Sequence, residues 1–183
     1  GWLSLDSFTV VSDGGNGKGA PDSHLRMIST STGSTSMLYE KEFISAAYDP
    51  DTRSVAFTQW SFGDPGLYIL SNDKSLKKID NNEWDTVGYI KEKGWFTAQD
   101  WSDRSSLIFT PDGFIENTFS NENSELPEVS PGGDYFVFIG KNDENKIGIR
   151  LYDSKGVLIK NILPRQKFVD GIFYWKANSS GFW

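Results

Sequence analysis

Leu126-Pro127-Glu128-Val129-Ser130-Pro131-Gly132-Gly133-Asp134 runs straight into Tyr135-Phe136-Val137-Phe138-Ile139. A polar loop, Lys141-Asn142-Asp143-Glu144-Asn145-Lys146, follows. Ile147-Gly148-Ile149-Arg150-Leu151-Tyr152, the turn Asp153-Ser154-Lys155-Gly156 and Val157-Leu158-Ile159-Lys160-Asn161-Ile162-Leu163 complete the stretch. Ser-Pro-Gly-Gly supplies a fixed φ followed by permissive glycines, so it reads as a turn. The aromatic and β-branched run after it suits a buried strand. Ser-Lys-Gly puts glycine where a hairpin requires positive φ. The stretch therefore predicts four short strands joined by turns.

The surrounding composition agrees. The chain has 183 residues, 15% aromatic residues and 18 glycines, and helical periodicity is hard to find in it. Such a length can bury one sizeable core, and such a composition favours an all-β domain. The formal net charge of −7 argues against nucleic acid or an anionic membrane surface as partner. No apolar run approaches the length of a membrane span; the longest, Tyr135 to Ile139, is strand-sized. With no cysteine, a disulfide framework, thiolate catalysis and a cysteine metal site are excluded. The chain opens at Gly1-Trp2, with neither Met nor a signal peptide, and reads as a processed or excised piece.

The pattern recurs. Trp2, Tyr48, Ile90, Val129 and Trp175 each precede a turn and then an apolar strand, at spacings of 46, 42, 39 and 46 residues, as expected of repeats of about 40 to 50 residues. The strands after these markers are Phe8-Thr9-Val10-Val11, Val55-Ala56-Phe57, Trp95-Phe96-Thr97-Ala98 and Phe136-Val137-Phe138, with Gly181-Phe182-Trp183 beginning a fifth. A further strand aligns in each unit: Leu25 to Ile28, Leu67 to Leu70, Leu107 to Phe109 and Ile149 to Tyr152. Each leads into a polar turn, Thr30-Ser31-Thr32-Gly33, Asn72-Asp73-Lys74-Ser75, Pro111-Asp112-Gly113 and Ser154-Lys155-Gly156. Units begin near residues 1, 43, 85, 125 and 168 of what reads as one domain, 1–183.

The repeat resembles a blade of a TolB-like, or WD40-like (PD40), β-propeller, whose units carry Trp-Ser-Pro-Asp-Gly before an Ile-Ala-Phe strand. The matching residues are Val129-Ser130-Pro131-Gly132-Gly133 and Phe136-Val137-Phe138, with Val129 in place of the Trp and Gly132 in place of the Asp. The resemblance covers nearly the whole chain. It implies an all-β propeller of about four four-stranded blades plus the start of a fifth. One blade cannot bury both its faces alone, so blades stack. A small closed ring, formed by residues 168–175 returning to the first blade, has no slot for Gly181 to Trp183. A section of a larger propeller is the expectation, with the rest of that propeller as one partner.

Several segments are candidate sites. In Ser12 to Ser23, Asp13, Asn16 and Asp22 are hard oxygen ligands suited to Ca²⁺, although the loop reads first as a flexible surface connection and no cofactor is otherwise expected. Gly17-Lys18 is not followed by Ser or Thr, so a phosphate loop fails. In a propeller, the loops between second and third strands open on the same face as the connections between blades. Trp60, Phe62 and Asp64 lie in one such loop, Trp101 and Asp103 in the next, and Trp84 in a connection. Aromatic rings with a few carboxylates suit a glycan, a peptide or a protein surface; packing as filler between blades is the competing explanation. Asn72 to Ser75 partly matches an Asp-box turn around Asp73 but lacks its Gly and its aromatic residue. His24, the sole histidine, has no nucleophile elbow to serve. Asn178-Ser179-Ser180 is a formal glycosylation sequon.

The reading is a non-catalytic binding or scaffold module in an extracytoplasmic setting, whether periplasmic, cell-surface or secreted. The alternatives are the gating propeller of a larger prolyl-oligopeptidase-like peptidase and a glycosidase using paired carboxylates.

Overall fold

The computed structural model describes residues 2–4, 7–13, 23–29, 31–39, 43–59, 64–91, 93–103, 105–120, 128–141, 147–162, 175–178 and 180–181. Among them the only regular elements are strands. The first repeat holds β1 (Trp2–Ser4), β2 (Ser7–Asp13), β3 (Ser23–Ser29) and β4 (Thr35–Tyr39). The second holds β5 (Ser45–Asp49), β6 (Ser54–Gln59), β7 (Gly66–Leu70) and β8 (Leu76–Asp80). The third holds β9 (Thr86–Ile90), β10 (Trp95–Asp100), β11 (Ser105–Phe109) and β12 (Ile115–Ser120). The fourth holds β13 (Glu128–Val129), β14 (Tyr135–Lys141), β15 (Ile147–Asp153) and β16 (Leu158–Ile162). Each repeat is its own four-stranded sheet with its strands in chain order, and the strand pairings are antiparallel.

The sequence explains which strands lie inside. Middle strands are covered on both faces, so they read as continuous apolar runs. β6 and β7 are buried along their whole length, whereas β8, at the sheet edge, runs from exposed to half-buried. In all four sheets the third and fourth strands pair with a register shift. Such a bulge twists an outer strand and discourages edge-to-edge pairing.

The turns follow from their residues. Gly133 and Gly156 adopt φ of +67° and +77°, as Ser-Pro-Gly-Gly and Ser-Lys-Gly predict. The turn between third and fourth strands is the same in the second and fourth repeats, where Lys74 N donates to Ser71 O and Gly156 N to Asp153 O, and one residue longer in the first, where Gly33 N donates to Ser29 O. Lys74 thus fills a glycine slot in the second repeat, at φ +67°. The turn between first and second strands also recurs: Ser130 N donates to Tyr135 O at 2.9 Å, and Lys176 N to Gly181 O at 2.8 Å. The fifth unit therefore starts with the same turn as the fourth; Phe182 and Trp183 lie outside the described residues.

The chain divides into two compact units, Gly1–Tyr89 with Pro111–Phe114, and Ile90–Thr110 with Ile115–Trp183. The first has its core around Phe43, Val55, Phe57, Tyr68 and Leu70. The second is centred on Ile90, Ile108, Phe119, Phe136 and Phe138. Within each unit, one register position of a fourth strand supplies a ring to the next repeat. Tyr39, opposite Leu25, sits 4.5 Å from Phe57, centroid to centroid. Phe119, opposite Ser106, sits 5.3 Å from Phe138. Both positions lie three residues along the ladder from its last pair, Ile28 with Thr35 and Phe109 with Ile115. Both receiving phenylalanines are the residue opposite the third-strand position two before that pair. The first and second repeats, and the third and fourth, are therefore joined by ring packing at one place in the ladder, where the second repeat carries Asp80 instead.

Candidate functional site

Trp101 is the most exposed of the described tryptophans that the sequence singles out, at 57% of its full accessibility. It stands in the connection from β10 to β11, and the turn that carries it is held by carboxylates. Asp100 Oδ1 accepts hydrogen bonds from the Ser102 backbone N at 2.7 Å, the Ser102 hydroxyl at 2.7 Å and the Asp103 backbone N at 3.4 Å. Asp103 Oδ1 then accepts from the Ser105 backbone N at 2.8 Å. Asp side chains stabilise turns in this manner because a short carboxylate reaches the N–H groups two residues on. The outcome is a broad indole projecting from a backbone that is already ordered. An aromatic side chain has few torsions to immobilise, so binding on such a base loses little entropy.

Asp64 belongs to the other compact unit and stands at the end of the β6–β7 connection. Its Oδ1 accepts from Lys78 Nζ at 2.5 Å, and its backbone carbonyl accepts from the Tyr68 hydroxyl at 2.5 Å. The Lys78 ammonium also lies 5.5 Å from the centre of the Tyr68 ring. The hydrogen bond that Lys78 donates to Asp64 keeps it protonated to higher pH than an ordinary lysine. Burial, with Asp64 beside it, raises the Tyr68 phenol. Trp60 and Phe62 lie outside the described residues. The structure thus brings Trp101 and Asp103 into one turn and ties Asp64 to Lys78 and Tyr68.

Trp84 requires a correction. It is not offered to a ligand: only 4% of it is exposed, and its indole N–H donates to Asp80 Oδ1 at 3.0 Å. A buried indole needs an acceptor for its one polar atom, and the Asp-Asn-Asn-Glu-Trp run supplies one four residues earlier. Trp84 is an interior residue tied to Asp80 at the end of β8.

Of the proposed calcium ligands, Asn16 and Asp22 lie outside the described residues, and Asp13 is the last residue of β2, opposite Ser23. His24 is in β3 opposite Ser12. Asp73 Oδ1 accepts from the Ser75 backbone N at 2.9 Å, and hydrogen bonding from Ser75 lowers the Asp73 carboxyl. It is a turn-closing residue, as the partial Asp-box likeness suggests.

A polar residue that the sequence reading passes over is Asp49, 1% exposed. Its carboxylate accepts from the Asp51 backbone N at 2.9 Å, the Thr52 hydroxyl at 2.5 Å and the Tyr89 hydroxyl at 2.6 Å. Near the other end of β5, Ser45 Oγ accepts from the Val87 backbone N at 3.0 Å. Asp49 and Ser45 therefore bond the first strands of two successive repeats. The available signal was spacing: Asp49 and Tyr89 are 40 residues apart, close to one repeat.

Four sheets in chain order, ring packing at a fixed register and a turn-borne aromatic residue define a β-propeller module, here a partial one. No protein-family model matches the sequence, and neither does any curated protein. Among solved structures, the chain is similar to TolB from Acinetobacter baumannii, with a TM-score of 0.55 and 17% identity over 88% of this chain and 41% of that one. It is also similar to a eukaryotic initiation factor, with a TM-score of 0.64 and 14% identity over 88% of this chain and 41% of that one. A third similarity is to an oligogalacturonate lyase in complex with manganese, with a TM-score of 0.58 and 12% identity over 88% of this chain and 50% of that one. At these identities the shared property is the fold, a propeller of the kind TolB has. The chain spans half or less of the length of each of these structures.

Proposed function

We propose that the chain is a non-catalytic propeller module that recognises a protein, peptide or glycan on one face, in an extracytoplasmic setting. The observation that carries this reading is Trp101, largely exposed on a turn whose backbone Asp100 and Asp103 hold in place. Large exposed aromatic residues on rigid supports are typical anchors of recognition surfaces. The module recognises its partner by stacking on Trp101 and by polar contacts in the same turn, Asp103 among them; Trp60, Phe62 and Asp64 of the β6–β7 connection are a second candidate group, taken by itself.

A combined peptide and glycan array tests the proposal, using wild type, Trp60→Ala and Trp101→Ala. Wild type is expected to retain a defined set of ligands, and Trp101→Ala to lose affinity for them by about 30-fold, the usual effect of truncating a tryptophan anchor. An unchanged binding pattern in both variants removes Trp60 and Trp101 as recognition residues.

A further inference from the structure

The turn that carries Trp101 has a carboxylate on either side of the ring. Asp100 and Asp103 each use Oδ1 to hold the turn, accepting from its own backbone N–H groups and the Ser102 hydroxyl. Among the described residues, Oδ2 of neither carboxylate accepts a hydrogen bond. Trp101, Ser102 and Asp103 are exposed. One ordered turn therefore presents a broad indole together with two carboxylates that each keep an oxygen for a donor from outside.

The topology extends this charge beyond the turn. In each sheet, the connection from second to third strand and the exit of the fourth strand leave by one end, and the other two turns leave by the opposite end. The connections of the first kind hold eleven acidic residues and four basic ones. The turns of the second kind hold six and five, close to balance. The formal charge of −7 is thus gathered in connections of the kind to which Trp101 belongs.

The face of an indole carries partial negative charge and attracts cations. A carboxylate beside it adds a charge-assisted hydrogen bond. A neutral sugar can stack on the ring but gains nothing from the charge, and an acidic segment is repelled by it. A guanidinium uses both features, because it is flat enough to stack and carries its N–H donors in its own plane.

We propose that the Trp101 turn receives a positively charged side chain, arginine in preference to lysine, from a peptide segment of a partner protein. The basic partner rests on the recognition role proposed for Trp101 above and narrows it. The cation lies over the indole, Oδ2 of Asp103 and of Asp100 accepts its N–H groups, and the acidic connections steer the segment to this end of the sheet.

Fluorescence anisotropy tests this with a short labelled Gly-Ser peptide that bears a pair of arginines, and with copies that have lysine, citrulline or glutamate in those places. Citrulline has the shape of arginine without its charge. Wild type is expected to bind the arginine peptide best, the lysine peptide less well, the citrulline peptide about tenfold more weakly than arginine, and the glutamate peptide not at all. Trp101→Ala is expected to weaken the arginine peptide by about 30-fold. Asp103→Asn keeps an oxygen to close the turn onto Ser105 but removes the charge. It is expected to weaken the arginine peptide about tenfold and to leave the citrulline peptide unchanged. Circular dichroism melts matching wild type show that neither variant has lost its fold. An arginine peptide that does not bind wild type overturns the proposal. So do equal affinities for the arginine and citrulline peptides, or an arginine affinity that both variants leave unchanged. The peptide and glycan array separates this outcome from the broader one. Trp101-dependent ligands that are neutral glycans or acidic peptides keep the recognition role and overturn the basic partner, whereas the lack of any Trp101-dependent ligand removes both.

Discussion

Each compact unit joins two successive repeats by rings at the same register position, and each also holds a polar link between repeats, but the two links are of opposite electrostatic kinds. In the first, Tyr39 of the first repeat meets Phe57 of the second, and Asp49 of the second, almost wholly buried, accepts the Tyr89 hydroxyl of the third. In the second, Phe119 meets Phe136 and Phe138, and the polar contact is an exposed ion pair, Lys93 to Asp134 at 2.7 Å. Close approach there depends on Gly133, whose φ is +67° and whose Cβ would fall 2.4 Å from Lys93. A buried carboxylate has given up its water and depends on its partners, so losing it leaves several donors unsatisfied. An exposed pair keeps most of its hydration and contributes little. The ring contact is thus common to the two units, whereas the polar link differs between them.

The comparison can be broken at its apolar half first. Phe119→Ala removes a ring that touches Phe136, Phe138 and Tyr152, and it is expected to cost about 3 to 5 kcal/mol in urea unfolding. A loss below about 1 kcal/mol, within the range of ordinary surface substitutions, would show that the ring position is not what holds the second unit together. Asp49→Ala comes next. It strands the Tyr89 and Thr52 hydroxyls and the Asp51 N–H, for an expected loss of about 2 to 3 kcal/mol. Asp49→Asn should recover part of this, because the amide oxygen still accepts. Equal losses for the two variants would assign the effect to charge alone. The smallest effect is expected from Asp134→Ala, about 0.5 kcal/mol or less and vanishing at high salt. A loss as large as that of Asp49→Ala would erase the distinction between the two polar links.

Local chemistry was the legible part of the fold. Ser130-Pro131-Gly132-Gly133 and Ser154-Lys155-Gly156 announce their turns, and the runs around Phe57, Ile108 and Phe138 announce strands that are buried as expected. What depends on the neighbouring repeat was not legible. Composition and spacing do not distinguish Trp84, which is interior, from Trp101, which is exposed. Asp49 looks like any turn aspartate until Tyr89 is placed 40 residues away against it. Lys74 conceals a left-handed position behind a residue that seldom adopts one. Of the candidate site, the turn of Trp101 and Asp103 could be located from strand order, whereas the bond from Lys78 to Asp64 joins separate parts of one repeat and follows from pairing alone.

The shared bond that closes Ser130 onto Tyr135 and Lys176 onto Gly181 spans only five residues. A contact so near in sequence forms early, because it encloses almost no chain. The links between repeats, by contrast, enclose some forty residues, as from Asp49 to Tyr89. Each unit should therefore carry its own quick seed, and the tempo of folding should be set by how fast one finished paddle captures the next.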